Sequence, residues 1–384
     1  MAVRKIINRL GSLRLTIVLL AFALVLVFAG TIAQVKLGIH AAQVRFFQSF
    51  VVYADVGESL RLPVLPGGYL VGFALVLNIA CAYALRIGFK RGRIGLLLIH
   101  GGLLMLLLGQ LSTDLLQVES NLRFKEGERS NYSVSGRHWE LAIVDTTDAA
   151  FDQVTVLPDR LLAPGETLRP EGLPFTVQVH TYWRNSRRLG PMETPASAAP
   201  KATQGQGTRF QYDSEPSTTR MDRRDIPTAY VELEADGKSL GTWCATGWVD
   251  AADTFTHDGH SYALTLRPTR YYQPYYLKLI DFSHDRYLGT NIPKNFSSLV
   301  QIQNPETRED REVLIYMNHP LRYGGQTYYQ SGYDENDPTV TILQVVKNPG
   351  WLTPYLACTI VSVGLLAQFF GHLGRWLRKK TKAS

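Results

Sequence analysis

The sequence predicts a membrane α+β protein with four transmembrane helices, three N-terminal and one C-terminal, and a large extracytoplasmic domain of antiparallel strands. Three observations carry that reading. Long runs without a single charge are bounded by short basic segments. The mean hydropathy of -0.06 is nevertheless that of a water-soluble chain, so the apolar residues are segregated rather than spread. Between the third and fourth runs the pattern changes to short stretches of period-two alternation rich in Val, Thr, Tyr and Phe, which is the signature of strands.

A bilayer core of roughly 30 Å takes about 20 apolar residues in helical form. Four runs meet that length: residues 15–35, 69–85, 94–113 and 351–371. The second follows the breaker Pro66-Gly67-Gly68 and is the shortest. The first follows a basic segment, as a secretory leader would, but its apolar run is too long for one and no small-x-small cleavage site stands near 31–34.

Charge sets the orientation. Arg4, Lys5, Arg9 and Arg14 precede the first span, Arg86, Lys90, Arg91 and Arg93 fill the link between the second and third, and Arg375, Arg378, Lys379, Lys380 and Lys382 follow the fourth. All three segments are expected in the cytoplasm, which puts residues 36–68 and 114–347 outside and both termini inside. The net charge of +7 is therefore spent largely on topology and lipid phosphates, and no nucleic-acid partner is expected. Cys81, Cys244 and Cys358 are too scattered for a disulfide framework or a zinc site.

The chain thus divides into a membrane region at 1–113, a β-rich domain at 114–347, and a last span with a basic tail at 348–384. Strands are expected at 139–144, 175–183, 229–234, 262–267, 275–282, 299–303, 312–317, 326–331 and 339–346, enough for a sandwich or barrel-like fold. Residues 186–224 are poor in apolar side chains and crowded with Pro, Ser, Thr, Gly and Gln, which predicts a mobile loop.

One residue stands out for chemistry. His100 lies in the third span, in Ile99-His100-Gly101-Gly102-Leu103, where an ionisable side chain needs a partner or a task. Seven residues past Arg93, it sits roughly 10 Å into the membrane at about 1.5 Å per residue. Imidazole is a good iron ligand, and Gly101 and Gly102 would let a flat macrocycle or another helix come close. Asn78 in the second span falls at a similar depth. Two readings are open: His100 and Asn78 simply hydrogen-bond, or Asn78 orients a His100 that binds metal. The basic link could also pair with acidic groups of a cofactor, although lipid anchoring is the commoner use.

Elsewhere, His257-Asp258-Gly259-His260 reads as a hairpin turn before it reads as a metal pair. His138, His180, His284, His319 and His372 have ordinary surface or hydrogen-bonding roles as their default, as has His40, although its place on the outer side just beyond the first span also allows a ligand role close to the membrane surface. There is no phosphate loop, nucleophile elbow or Cys-x-x-Cys-His haem attachment site, so no catalytic residue is assigned and an independent enzyme is not expected.

The chain resembles the ResB family, also called CcsB, of the System II cytochrome c biogenesis machinery. The resemblance runs through Leu10-Gly11-Ser12-Leu13-Arg14-Leu15-Thr16-Ile17 to Gly30-Thr31-Ile32-Ala33-Gln34, through Leu77-Asn78-Ile79-Ala80-Cys81, and through His100-Gly101-Gly102. It continues in Gly289-Thr290-Asn291-Ile292-Pro293-Lys294-Asn295-Phe296-Ser297-Ser298, in Asn318-His319-Pro320-Leu321, in Tyr328-Tyr329-Gln330-Ser331-Gly332-Tyr333, and in Val345-Val346-Lys347-Asn348-Pro349-Gly350.

The resemblance implies a protein of the bacterial cytoplasmic membrane with a periplasmic domain. With a CcsA-type membrane partner it would carry haem b across and present it for covalent attachment to apocytochrome c. It further implies that His100 is an axial ligand of the haem iron, with Asn78 behind it and Gly101 and Gly102 beside the macrocycle. The partner's Trp-rich haem-handling motif is missing here, so the chain would be one subunit of the synthase, non-catalytic or co-catalytic. The competing readings are a membrane-anchored scaffold or apocytochrome chaperone without haem ligation, and a transporter subunit for another ligand.

Overall fold

The computed structural model describes residues 2–56, 60–83, 93–190, 192–197, 200–218, 224–286, 289, 293–334 and 336–383. They form two compact units, Met1–Val118 with Asn348–Ser384, and Glu119–Lys347.

The first unit is helical. A short amphipathic helix α1 (Ala2–Leu10) leads into α2 (Leu13–Ala42), whose N-terminus is capped by the Ser12 hydroxyl accepting from the Leu15 N–H. Gly38, at φ 77°, breaks the α2 spiral, and a π-helical turn at Gln43–Phe47 follows. The Phe47 ring then packs where a side chain on Gly30 would stand. A two-stranded hairpin, β1 (Val51–Val56) and β2 (Leu60–Pro66), joins this turn to α3 (Gly68–Ala82). The Pro66-Gly67-Gly68 breaker has a further use: a Cβ on Gly67 would lie 2.1 Å from the Ser49 carbonyl oxygen, so only glycine lets the two backbones cross. Helices α4 (Ile94–Leu116) and α5 (Thr353–Ala383) complete the unit.

Three of these helices are long and apolar enough to cross a membrane, over Leu13–Leu37, Ile94–Leu116 and Thr353–Thr381. They coincide with the first, third and fourth expected spans. The chain is a membrane protein. The described part of α3 is as apolar but has only 15 residues, and the expected end of the second span, with Arg86, Lys90 and Arg91, lies outside the described residues.

The second unit is built of strands, and its pairing begins at β3 (Val118–Lys125) and β4 (Arg129–Asp145). There follow β5 (Gln153–Pro158), β6 (Thr167–Leu168), β7 (Thr176–Trp183), β8 (Ser186–Arg188), β9 (Tyr212–Ser214), β10 (Thr228–Ala235), β11 (Lys238–Thr246) and β12 (Asp253–His257). The set closes with β13 (His260–Arg286), β14 (Pro293–Asn304), β15 (Glu309–Tyr316), β16 (Leu321–Tyr323), β17 (Gln326–Tyr333) and β18 (Val340–Lys347).

Two strands organise this unit because they run through both of its cores. In their first shared stretch Tyr262–Pro268 of β13 pairs with Asp145–Trp139 of β4, flanked by β12 and β5. That four-stranded patch faces the sheet β11-β10-β7-β6 across a sandwich core of Leu141, Ile143, Leu264 and Leu266 against Val177, Val179, Val231 and Trp243. The register then shifts at Pro268/Arg270 and again at Tyr272/Leu277, where Pro268 and Pro274 can give no ladder N–H. Beyond the shifts β13 and β4 belong to a nearly closed barrel-like sheet of order β15-β14-β13-β4-β3-β18-β17-β16, filled by Phe124, Leu277, Leu279, Val300, Ile302, Ile315, Tyr328 and Leu343. A fully buried Leu or Ile of this kind is worth about 1.5–3 kcal/mol against exposure.

Residues 262–267 and 275–282, expected as separate strands, are therefore one strand. Residues 186–224, expected as a mobile loop, carry the β8–β9 pair. Asp213 of β9 is sealed there and accepts from the N–H groups of Ala196 and Ser197 at 3.0 Å each.

Candidate functional site

His100 sits one turn and a half inside α4, half-buried. Its Nδ1 lies 2.9 Å from the Leu96 carbonyl oxygen, the i−4 group of its own helix. A carbonyl oxygen can only accept, so Nδ1 carries the proton in the neutral ring, and the lone pair is left on Nε2. Among the described residues nothing hydrogen-bonds that Nε2. The ring is oriented by a backbone carbonyl and has one ligating nitrogen uncommitted, which is the usual arrangement behind a metal-binding histidine.

Asn78 is placed otherwise than expected. Its side chain is sealed, at 2% exposure, and its Oδ1 accepts from the Thr16 hydroxyl at 2.7 Å. Its Nδ2 donates to the carbonyls of Leu10 and Ser12, at 2.5 and 3.2 Å. The amide clamps the α1–α2 junction to α3, and neither of its N–H groups remains for His100. Gly11 belongs to the same joint, since a Cβ there would come within 2.7 Å of the Ala82 nitrogen. The Gly11-Ser12 and Asn78-Ile79-Ala80-Cys81 segments are thus two halves of one contact. Sequence position gives depth in the membrane but not azimuth around a helix, so equal depth suggested a pair that the packing does not make.

The two glycines after His100 also part company. A Cβ on Gly102 would stand 2.5 Å from Val361 Cγ2 and 2.9 Å from the Ala357 oxygen, so α5 occupies that approach, and a macrocycle cannot use it as expected. Gly95 and Gly109, one heptad to either side, meet Gln368 and Thr353 in the same way, and Gly364 answers them from α5. This is a small-residue seam of the kind that lets membrane helices touch. Gly101 lies off the seam: a Cβ there would meet only the Tyr83 hydroxyl, at 3.3 Å. That hydroxyl donates to the Leu97 carbonyl at 2.6 Å. With Tyr69 of α3 bonded to Asp114 of α4, it fixes the two helices as an antiparallel pair. Asn348, just before α5, donates to Thr113 and Gln117 at the end of α4.

In the β domain the other histidines have local partners. His257 and His260 face each other across the β12–β13 turn, where Asp258 and Gly259 take φ of 48° and 81°, so the turn reading holds. His260 Nδ1 lies 2.7 Å from Asp145, and His180 Nε2 lies 2.9 Å from Glu232. His284 stacks on Phe296 and packs at a tilt against Tyr333, and His319 stacks on Tyr316. Among the described residues no group of three or more His, Cys, Asp and Glu could hold a metal ion, and the three cysteines are free.

The barrel explains the segments quoted from the outer domain. Ser298 donates to Gln330 at 2.7 Å and shares a hydrogen bond with Thr341 at 2.9 Å, which ties β14, β17 and β18 together inside the barrel. Tyr328 and Tyr275 pair their hydroxyls at 2.8 Å in the same core.

The model of the ResB-like family matches residues 238–342, that is, β11 through most of the barrel. Over those strands the chain is similar to the ResB-like family. It is also similar to the protein NrfI of Wolinella succinogenes, at 36% identity over 93 residues. That stretch is 24% of this chain and 10% of NrfI, so the likeness spans about a tenth of that relative's length. The family match takes in barrel strands with the buried Ser298 and Tyr328 and the half-buried Gln330, a region where sequence reading alone assigned strands but no role.

Proposed function

We propose that the chain is a membrane subunit of cytochrome c biogenesis, which works with a CcsA-type partner to move haem b outward for attachment to apocytochrome c. The reading has four spans, the second of them taking in α3, with cytoplasmic termini and the β domain on the periplasmic side of the bacterial inner membrane. The basic segments at both ends and in the 86–93 link support this orientation.

The observation that carries the proposal is the His100 ring, whose Nδ1 is held by the Leu96 carbonyl while its Nε2 has no hydrogen-bond partner among the described residues, in an apolar span. Haem is cargo here, and His100 would supply one axial nitrogen to its iron while the partner supplies the other. The Leu96 bond raises the electron density on Nε2 and holds the ring plane fixed. Gly101 leaves one side of α4 uncrowded next to the ring, whereas Gly102 serves the α5 contact.

In the complex purified with its partner, His100→Gly should lose most of the co-purifying haem absorption, and added imidazole should restore it. Haem content unchanged by the substitution would refute the ligand role. The scaffold reading needs His100 to be occupied by Asn78, and the Asn78 amide is engaged with Thr16, Leu10 and Ser12 instead.

A further inference from the structure

The β domain contains a cleft of about 1090 Å³ that the haem-ligand reading does not use. Its floor is the β4–β13 ladder where the sandwich gives way to the barrel, with Tyr132 and Val134 of β4 and Thr265, Arg267 and Arg270 of β13. The short segments around Glu215 and Trp248 also line it. The volume is at the upper end of that of small-molecule sites, about 300–1,000 Å³.

The floor is basic and aromatic. The Arg270 guanidinium lies 4.4 Å from the centre of the Tyr132 ring, and Tyr132 is itself 5.4 Å from Tyr272. Stacking holds a guanidinium by its face and leaves its N–H edge for an acceptor. No carboxylate among the described residues pairs with Arg270. Next to it, Arg267 gives its Nε to the buried Glu140 at 3.0 Å, while its Nη2 is buried with no hydrogen-bond partner among the described residues. A buried guanidinium nitrogen without an acceptor has lost its water and gained nothing in exchange, so the fold keeps unmet donor capacity at this place. The acidic residues of the cleft, Asp152, Glu215 and Asp250, stand on connecting segments, and none forms an ion pair with either arginine.

We propose that this cleft is a binding site for an apolar, ring-bearing carboxylate, whose acid group meets the Arg270 edge and whose body lies against Tyr132 and Trp248. The site is independent of whether His100 ligates iron. A bidentate carboxylate on Arg270 would satisfy the stacked cation, and the aromatic walls would supply sequence-independent contact area.

The probe is naphthalene-2-acetate, compared with its uncharged amide, titrated calorimetrically into the full-length chain in detergent with a micelle-only blank. The acid should bind saturably at one site, with the amide at least tenfold weaker. Arg270→Gln should remove the acid's advantage, and Arg270→Lys should keep part of it. Thr265→Trp, which fills the floor, should abolish binding of both, with Ala263→Trp as the second filling variant and thermal melting as the check on folding. Acid and amide binding alike to the parent chain would overturn the proposal. So would heat no greater than the micelle blank, or folded Arg270→Gln and filling variants that bind the acid as the parent does.

Discussion

The membrane unit and the β domain are held together by opposite means. In the β domain, water drives apolar strand faces together, and Leu141, Ile143, Leu279, Ile302 and Leu343 are fully sealed while polar groups remain outside. In the helical unit most large apolar side chains are exposed, as they must be in lipid, and the sealed positions are Asn78, the seam glycine Gly102 and a few small or aliphatic residues. Lipid offers no hydrophobic force between helices, so closeness of backbones and hydrogen bonds take its place. A polar residue in the membrane unit therefore identifies a joint or a site, whereas in the β domain it usually marks a surface.

Substitutions should divide along that line. The largest loss is expected from Leu279→Ala in the barrel core, about 2–5 kcal/mol, read as a fall in the melting temperature of the β domain. In the helical unit the heaviest cost should come from adding atoms rather than removing them. Gly102→Leu forces a side chain into Val361 and the Ala357 carbonyl and should cost about 1–3 kcal/mol, seen as lower thermal stability in detergent. Gly101→Ala, which meets only the Tyr83 hydroxyl at 3.3 Å, should be nearly silent. Equal losses at the two glycines would mean that the α4–α5 seam is not what holds the helices.

A smaller effect is expected at the Asn78 joint. Asn78→Leu removes the bonds to the Thr16 hydroxyl and to the Leu10 and Ser12 carbonyls, of which Thr16 and Ser12 keep the bond they share, and should destabilise by roughly 1–2 kcal/mol. A double-mutant cycle with Thr16→Val should return a coupling of about 0.6–1.7 kcal/mol, the range of interhelical hydrogen bonds in lipid. No measurable coupling would dissolve the clamp.

What the sequence made legible follows the same division. Uncharged runs of span length have one physical reading, so three membrane helices could be placed from composition alone. Strand alternation likewise located most of the barrel. Pro268 and Pro274 concealed the continuity of β13, because proline usually punctuates a strand, and here register shifts absorb it. The β1–β2 hairpin was missed for a similar reason, with Pro63 and Pro66 at its second strand. His100 could be singled out because an ionisable group in an apolar run is costly. Its bond to Leu96 was not, since an i−4 carbonyl is present for every helical residue. The role of Gly102 could not be separated from that of Gly101 without knowing which face of α4 meets α5.

The weakest expected effect tests whether residues 186–224 are held or loose. The Asp213 carboxylate is pulled down to about 2, first by the Ala196 N–H and then by Ser197, with Ser214 adding a further N–H. A carboxylate whose folded-state pKa lies below the ordinary value of about 3.9 stabilises the fold above that pH and loses the contribution as pH falls through the lower value. The segment should therefore be released between pH 4 and pH 2, which pepsin can report. Cleavage within 186–224 should rise across that interval in the parent chain. In Asp213→Asn the fragment should be cut at pH 4 as readily as the parent is at pH 2. If the parent is cut equally at both pH values, the carboxylate does not fasten the segment, and composition alone, poor in apolar residues and rich in Pro and Gly, describes it correctly.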